Sequence, residues 1–157
     1  MKYRVAYGKL RELVDTATRR RVNILCIQET KWKGQKAKEV DNTCFKLWYT
    51  GTVANRDGVG VLIDKGLKDG VVKVRRQGDM VILVKLVISG MVLNIICAYA
   101  PQVGHDESAK RLFWEDLDRL VRAVPSSEKL FIGGDLNGYV GTSKCRFRGD
   151  SWGFQIW

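Results

Sequence analysis

The sequence of 157 residues contains little histidine, little proline and no long apolar run. His105 is its only histidine, and none of the four cysteines lies in a Cys-x-x-Cys pair, so the pattern excludes the common zinc sites. No stretch approaches the roughly 20 apolar residues that a membrane-spanning helix needs. The first residues have no apolar core of the secretory type. These absences predict an intracellular protein that does not associate with membranes.

Positive charge is present in excess. The sequence holds 27 lysines and arginines against 17 aspartates and glutamates, which gives a formal net charge of +10. Such a surplus favours a polyanionic partner, because each cationic side chain near a phosphate releases condensed counterions. A solvated basic surface is the alternative. With 45% hydrophobic and 28% charged residues, the composition is globular, and the length predicts one domain over residues 1–157.

Apolar periodicity predicts an α+β domain of packed sheets with outer helices. Helical spacing indicates one helix over Gly8–Arg20 and a second that begins at an Asp106 N-cap. The second helix is expected to bury a stripe formed by Leu112, Phe113, Leu117, Leu120 and Val121. The polar and basic segment Lys31–Asp41 is predicted as a loop or a short helix, and Lys68–Gly70 as a turn.

Short apolar or aromatic runs between turn residues predict the strands. The runs are Val22–Ile27, Phe45–Thr50, Val59–Ile63, Val71–Val74, Val81–Val87, Met91–Ala98 and Lys129–Gly134. Turn signals such as Ser89-Gly90 separate the central runs, so antiparallel hairpins are expected there.

Two of these strands lead into an acidic residue, Glu29 in one case and Asp135 in the other. A carboxylate at the end of a buried strand is costly unless it caps, pairs or binds a cation. On neighbouring strands, the two acids could converge on one hard ion such as Mg²⁺, which prefers oxygen ligands. The alternative is that each acid simply lies at the solvent edge of a sheet.

Other polar residues follow the same strands. The Gly133-Gly134 pair allows close backbone approach before Asp135, and Asn137 supplies both a donor and an acceptor two residues later. Tyr99 comes from an apolar strand that stops at Pro101. Its hydroxyl is either a phosphate hydrogen-bond donor or part of a residue that fills the core or the rim.

Three motifs together resemble the ordered signature of the endonuclease/exonuclease/phosphatase superfamily, which includes deoxyribonuclease I and abasic-site endonucleases. They are Ile27–Thr30, Tyr99–Pro101 and Gly133–Asn137. A closer resemblance, to endonuclease domains of RTE-type non-LTR retrotransposons and to craniofacial development protein 2-like proteins, is carried by the run Arg20–Gly34. Asp57–Val61 and Ala98–Gln102 reinforce it.

The resemblance implies a four-layer αββα sandwich of the deoxyribonuclease I type. It implies that Glu29 is a ligand of a catalytic Mg²⁺, with Mn²⁺ as an alternative, and that Tyr99 donates to the scissile phosphate. Asp135 would orient or activate the attacking water, and Asn137 would help to hold the phosphate. The implied reaction is phosphodiester hydrolysis, for this branch the nicking of DNA, by a monomer with the nucleus as a candidate compartment.

The sequence departs from the family pattern near both ends. Residues 1–7 lack the asparagine that the family's first strand carries, and no Asp-His pair precedes Trp157. Residues 142–157 form a divergent tail, and His105 is expected to be solvated. We therefore expect a domain that is incomplete at both ends, with weak or lost activity. The alternatives are a catalytically inactive nucleic-acid-binding remnant and a phosphatase acting on a small phosphoester.

Basic side chains near the first motif are predicted to contact DNA. They are Arg21, Lys31 and Lys33, together with Trp32, whose ring could stack on a base or wedge into a groove. The alternative is a solvated rim with Trp32 half-buried.

Overall fold

The computed structural model describes residues 9–52, 57–102, 104 and 106–136. Their secondary structure, in chain order, is α1 (Leu10–Arg19), β1 (Ile24–Gln28), β2 (Gly34–Glu39), β3 (Lys46–Gly51), β4 (Val59–Ile63), α2 (Lys65–Lys68), β5 (Val71–Gln77), β6 (Val81–Ile88), β7 (Met91–Tyr99), α3 (Glu107–Arg122) and β8 (Lys129–Asp135). None of the helices in this described part has the length and apolar character needed to cross a lipid bilayer.

The strands form two sheets of four. One has the order β1-β4-β3-β2 and is antiparallel throughout, and the other has the order β5-β6-β7-β8. In the second sheet β5, β6 and β7 form the predicted antiparallel meander, while β8 pairs in parallel with β7. A parallel pair needs a crossover connection, which α3 provides. The carboxyl ends of β7 and β8 therefore lie at the same edge of their sheet.

Apolar residues fill three layers between four layers of secondary structure. Helix α1 buries Leu10, Leu13, Val14 and Ala17 against one face of the first sheet. The other face of that sheet packs on the second sheet, through side chains such as Val61 on one side and those of β6 and β7 on the other. Helix α3 covers the outer face of the second sheet. This arrangement confirms the α+β, four-layer αββα sandwich predicted from the resemblance.

Most element predictions are confirmed, two are wrong, and one short helix was not predicted. Residues 34–39 within the segment Lys31–Asp41 form strand β2 rather than a loop or helix. Leu112 is 57% exposed, although the periodicity places it on the buried stripe of α3. A short helix, α2, precedes the turn at Lys68–Gly70. The predicted N-cap is confirmed, because Asp106 Oδ1 accepts a hydrogen bond from the Ser108 N–H at 3.3 Å.

Gly134 fits its place only because it has no side chain. Its φ is +136°, and a Cβ there would lie 1.8 Å from the carbonyl oxygen of Ala98 on β7. Side chains essentially never tolerate such a contact, so the β7–β8 pairing just before Asp135 requires glycine. The neighbouring Gly133 is also confined, since a Cβ there would lie 2.8 Å from Cys26 Sγ across the interface.

We expect Gly134→Ala to destabilise the protein by about 3 kcal/mol or more, because the added methyl group overlaps backbone. Gly90→Ala is the matched control: Gly90 has φ +78° but nothing within 4 Å of its Cβ position. Its expected loss is about 1 kcal/mol, from backbone conformation alone. Urea unfolding of both variants measures the difference, and equal losses would contradict the close approach of β7 and β8.

A polar cluster fixes the start of β8. Glu128 accepts hydrogen bonds from Lys85 Nζ at 2.6 Å and from Asn94 Nδ2 at 2.8 Å. The bond from Lys85 and, after it, the bond from Asn94 hold the pKa of the Glu128 carboxyl below its usual value. A carboxyl whose pKa is lower in the folded state stabilises the fold above its unfolded pKa, and this stability is lost as the pH falls through the folded value.

Glu128→Gln is therefore expected to lower the melting temperature near neutral pH. The gap between variant and wild type should narrow as the pH falls below the ordinary glutamate pKa of about 4.3, and it should close once the pH is below the lowered pKa of the folded Glu128 carboxyl. Glu115→Gln serves as the control, because Glu115 is exposed and lies 4.0 Å from its partner Arg111. A gap for Glu128→Gln that persists unchanged at low pH would refute this electrostatic account.

Candidate active site

Glu29 lies in a bulge at the end of β1. Gln28 is paired with Val59, but the Thr30 N–H then donates to the Gly58 carbonyl at 3.2 Å and the Lys31 N–H to the Asp57 carbonyl at 2.9 Å. The pairing thus resumes one residue out of register, which leaves Glu29 as the extra residue. Its φ is +52°, in the left-handed region. Bulges of this kind re-aim a side chain at the end of a strand, often beside a functional site.

The carboxylate of Glu29 meets a residue from the opposite sheet. The Tyr99 hydroxyl donates to Glu29 Oε1 at 2.9 Å, and Gln102 Nε2 donates to the Tyr99 oxygen at 3.0 Å. Tyr99 is only 6% exposed and lies in the cluster between the sheets. Its hydroxyl therefore links the end of β1 to the end of β7 across the sandwich.

Asp135 lies beside Tyr99 in the second sheet. The two residues are partners in the parallel register of β7 and β8, and the Ala100 N–H donates to the Asp135 carbonyl at 2.8 Å. Residues opposite each other in paired strands project to the same face, so the carboxylate of Asp135 is directed to the face that carries the Tyr99 ring. Glu29, Tyr99 and Asp135 thus belong to one rim of the sandwich.

The expectation that the two acid-bearing strands are neighbours within one sheet is wrong. β1 belongs to the first sheet and β8 to the second, and the two pack against each other across the interface. The sequence could not reveal this, because a buried strand has the same apolar pattern whichever of the two sheets it joins. The convergence of the two strand ends depends on the stacking of the sheets.

Acidic groups near Tyr99 affect its ionisation. Burial and the hydrogen bond to Glu29 raise the pKa of the Tyr99 phenol, and the charges of Glu29 and Asp57 raise it further, while the bond from Gln102 lowers it. The phenol therefore stays protonated, and able to donate, throughout the neutral range.

Asp57 and Gly58 are rim residues that the residue types alone did not mark as part of a site. Asp57 is half-buried with φ +47°, and Gly58 has φ +93°. A Cβ on Gly58 would lie 2.4 Å from Thr30 Oγ1, so glycine is required where the chain passes the Glu29 bulge. The sequence signal for this part of the rim is the run Asp57–Val61, which supports the family resemblance.

The turn between β5 and β6 also reaches this rim. Thr50 Oγ1 donates to the Gly78 carbonyl at 2.9 Å, and Thr52 bonds the carboxylate of Asp79. On the other side of the turn, the Tyr99 N–H donates to the Met80 carbonyl at 2.8 Å. The turn between β5 and β6 therefore connects the first sheet to the backbone of Tyr99. Nothing in the local sequence pattern indicated this connection.

Beneath the rim, small and polar side chains fill the interface. Gln28 Nε2 lies 3.7 Å from Cys97 Sγ, and Cys97 Sγ donates to the Ile27 carbonyl at 3.4 Å. The interaction with Cys97, followed by burial, raises the pKa of the Cys26 thiol. Cys26 in turn occupies the space that a side chain at Gly133 would need. The absence of a side chain at Gly133 thus leaves room for Cys26 of the opposite sheet.

The predicted DNA-contact residues have different surroundings. Lys31 and Lys33 are exposed, and Lys31 adjoins the Glu29 bulge. Arg21 is exposed but precedes β1, at the end of the strand opposite to Glu29. Trp32 is only 9% exposed and packs edge-on against Tyr49 with 5.2 Å between ring centroids. Its burial favours the structural role of Trp32 over stacking on a base.

Several predicted features lie outside the described residues. They are Asn137, His105 and the tail 142–157. Within the described ranges, no group of three or more His, Cys, Asp or Glu side chains is arranged to hold a metal ion. Mg²⁺ does not need a complete protein cage, since it keeps several waters and usually takes one or two carboxylates. The carboxylate of Glu29, which is bonded to the Tyr99 hydroxyl, offers oxygen ligands that fit a partly hydrated hard cation.

The chain is similar to curated sequence relatives and to solved structures of other proteins. Craniofacial development protein 2 of Bos taurus is 30% identical over 138 residues, which cover 87% of this chain and 23% of that protein. Humanised D. rerio TDP2 matches with a TM-score of 0.63 at 11% identity, over 87% of this chain and 64% of that one. The 3'-5' exonuclease NExo from Neisseria meningitidis matches with a TM-score of 0.62 at 17% identity, over 87% and 56% respectively.

The chain spans about a quarter of the length of the craniofacial development protein 2 that it matches. At these identities the two solved structures show the fold alone, which they share with the sandwich described above. The family itself is shown by a sequence pattern that matches residues 6–153. By that match, the chain belongs to the endonuclease/exonuclease/phosphatase family.

Proposed function

We propose that this chain carries the active site of a divalent-cation-dependent phosphodiesterase that cuts DNA. The observation that supports the proposal is the meeting of three functional groups from both sheets at one rim. The Tyr99 hydroxyl is bonded to Glu29, and Tyr99 is the register partner of Asp135. A buried donor flanked by carboxylates suits the binding of a phosphate together with a hard cation.

Glu29 is the proposed ligand of Mg²⁺, with Mn²⁺ as an alternative ion. When bound, the cation would polarise a phosphoryl oxygen and stabilise the leaving group. The left-handed backbone of Glu29 is consistent with this role, since strained conformations concentrate at functional sites. Asp57 adds an acidic residue to this rim, since its carbonyl accepts the Lys31 N–H next to the Glu29 bulge.

Tyr99 and Asp135 act on the substrate in this proposal. The protonated phenol of Tyr99 donates a hydrogen bond to the scissile phosphate and stabilises the charge that develops there. Asp135 orients the attacking water and accepts its proton. Asn137, two residues after Asp135, remains the proposed partner of a phosphate oxygen.

Charge favours a nucleic acid over a small phosphoester. The net charge of +10 and the exposed lysines beside the rim, Lys31 and Lys33, suit a polymer with many phosphates. The DNA partner, the nuclear compartment and the retrotransposon origin implied by the run Arg20–Gly34 are part of this proposal.

We expect the purified chain to nick plasmid DNA slowly and only with Mg²⁺ or Mn²⁺. Asp135→Asn and Glu29→Gln should abolish nicking, because each removes a charge required by the proposed chemistry while keeping the side-chain shape. The rate is expected to be low, since the sequence holds no Asp-His pair of the family type to assist Asp135. Gel analysis of nicked and supercoiled plasmid measures the outcome.

Glu115→Gln is the control for these variants, since Glu115 is an exposed acid on α3. Nicking that survives in Asp135→Asn, or that proceeds in EDTA, would refute the proposal. Salt-dependent DNA binding without any cleavage would select the inactive nucleic-acid-binding alternative.

Lys31 offers a separate test of the DNA interface. It is exposed and has φ +57°, so glycine relieves its backbone strain whereas alanine does not. Both Lys31→Gly and Lys31→Ala should weaken DNA binding equally and lower the salt slope of log K by about 0.9. The glycine variant should be more stable than the alanine variant by about 1 kcal/mol.

Fluorescence anisotropy at several salt concentrations measures the binding, and urea unfolding measures the stability. Salt slopes that match the wild-type value in both variants would remove Lys31 from the interface.

A further inference from the structure

The side chain of Gln102 completes a chain of hydrogen bonds that starts at Glu29. Gln102 Nε2 lies 3.0 Å from the Tyr99 oxygen, which lies 2.9 Å from Glu29 Oε1. Gln102 itself is exposed, while Tyr99 and Pro101 are buried. The amide group is therefore the outermost member of the chain, at the surface where a substrate would arrive.

The chemistry of the three groups fixes the direction of these bonds. An amide nitrogen can only donate, a carboxylate can only accept, and a phenol has a single proton. Because Gln102 donates to the Tyr99 oxygen, the phenolic proton must point to Glu29. A hydrogen bond from a phenol to a carboxylate is charge-assisted and stronger than one between neutral groups.

The backbone around Gln102 keeps the amide within reach of the phenol. Proline fixes φ at position 101, immediately before Gln102. The Tyr99 N–H is bonded to the Met80 carbonyl and the Ala100 N–H to the Asp135 carbonyl. These two bonds fix the backbone of Tyr99 and Ala100 just before Gln102. The hydrogen bond from Gln102 to Tyr99 therefore costs little additional conformational entropy.

We propose that Gln102 is a positioning residue, which aims the Tyr99 proton at Glu29. The availability of this proton to a substrate then depends on whether the Glu29 oxygens serve as ligands. The inference rests on the proposed function. In the described structure the proton is held by Glu29. When those oxygens serve as ligands, the proton becomes available to a phosphate oxygen, and Gln102 continues to hold the phenolic oxygen in place.

Two substitutions separate this role from a general effect of charge. Gln102→Leu removes the donor without adding charge, and Gln102→Glu replaces the donor by a group that competes with Glu29 for the phenolic proton. Both should lower kcat by about tenfold or more, as expected for the loss of a hydrogen bond within a charged network, with KM for DNA changed by less. Neither should change the melting temperature appreciably, because Gln102 is exposed.

The control is Gln35→Glu, which makes the same chemical change at an exposed position on β2. A second readout follows Tyr99 directly: the NMR chemical shift of its Cζ, at fixed pH in the full chain, should move in both Gln102 variants and stay unchanged in the control. This signal does not depend on catalysis.

The outcomes are distinguishable. A moved Tyr99 signal together with a lowered kcat supports the inference. A wild-type kcat in Gln102→Leu overturns the coupling, whether or not the Tyr99 signal moves, and an unmoved signal overturns the hydrogen-bond chain. If the wild-type chain cleaves no DNA, the proposed function fails and the catalytic role of Gln102 fails with it, although the Tyr99 signal still reports whether the bond exists.

Discussion

One hydrogen bond across the sandwich, from the Tyr99 hydroxyl to the Glu29 carboxylate, brings the functional ends of the two sheets together. It requires that β1 and β7 end at the same rim and that their sheets stack face to face. It also requires the bulge that turns Glu29 out of the β1 register into a left-handed conformation. If the bulge were absent, the side chain that follows Gln28 would alternate to the other face of the sheet, away from Tyr99.

The remaining rim contacts make this arrangement rigid. Gly58 and Gly134 lie on either side of it, and each permits a backbone approach that a Cβ would block. Met80 receives the Tyr99 N–H, while Thr50 ties the same turn to the first sheet. Strain at such positions is sustained by the surrounding packing, which here comes from the three apolar layers. The fold thus stabilises a local geometry that none of its strands would adopt alone.

The sequence predicted the elements of this site better than their spatial relations. The runs that end at Glu29, Tyr99 and Asp135 were recognisable because buried strands are apolar and polar residues follow them. Strand β2 was missed, because Gly34–Glu39 has no β-branched or aromatic residue and is a strand only by its pairing with β3. The approach of Glu29 to Tyr99, 70 residues apart in the chain, depends on long-range packing, which local periodicity does not encode. Trp32 appeared to be a contact residue because its neighbours are lysines, yet its ring packs on Tyr49.

The most direct test of the shared rim is paramagnetic broadening of amide NMR signals by Mn²⁺. Because the proposed cation lies at the rim where the ends of both sheets meet, the signals of Glu29, Tyr99 and Asp135 should broaden together at the lowest Mn²⁺ concentrations, and added Mg²⁺ should restore them. Broadening of Glu29 without Asp135, or earlier broadening at exposed acids of α3 such as Glu107 and Glu115, would contradict the account.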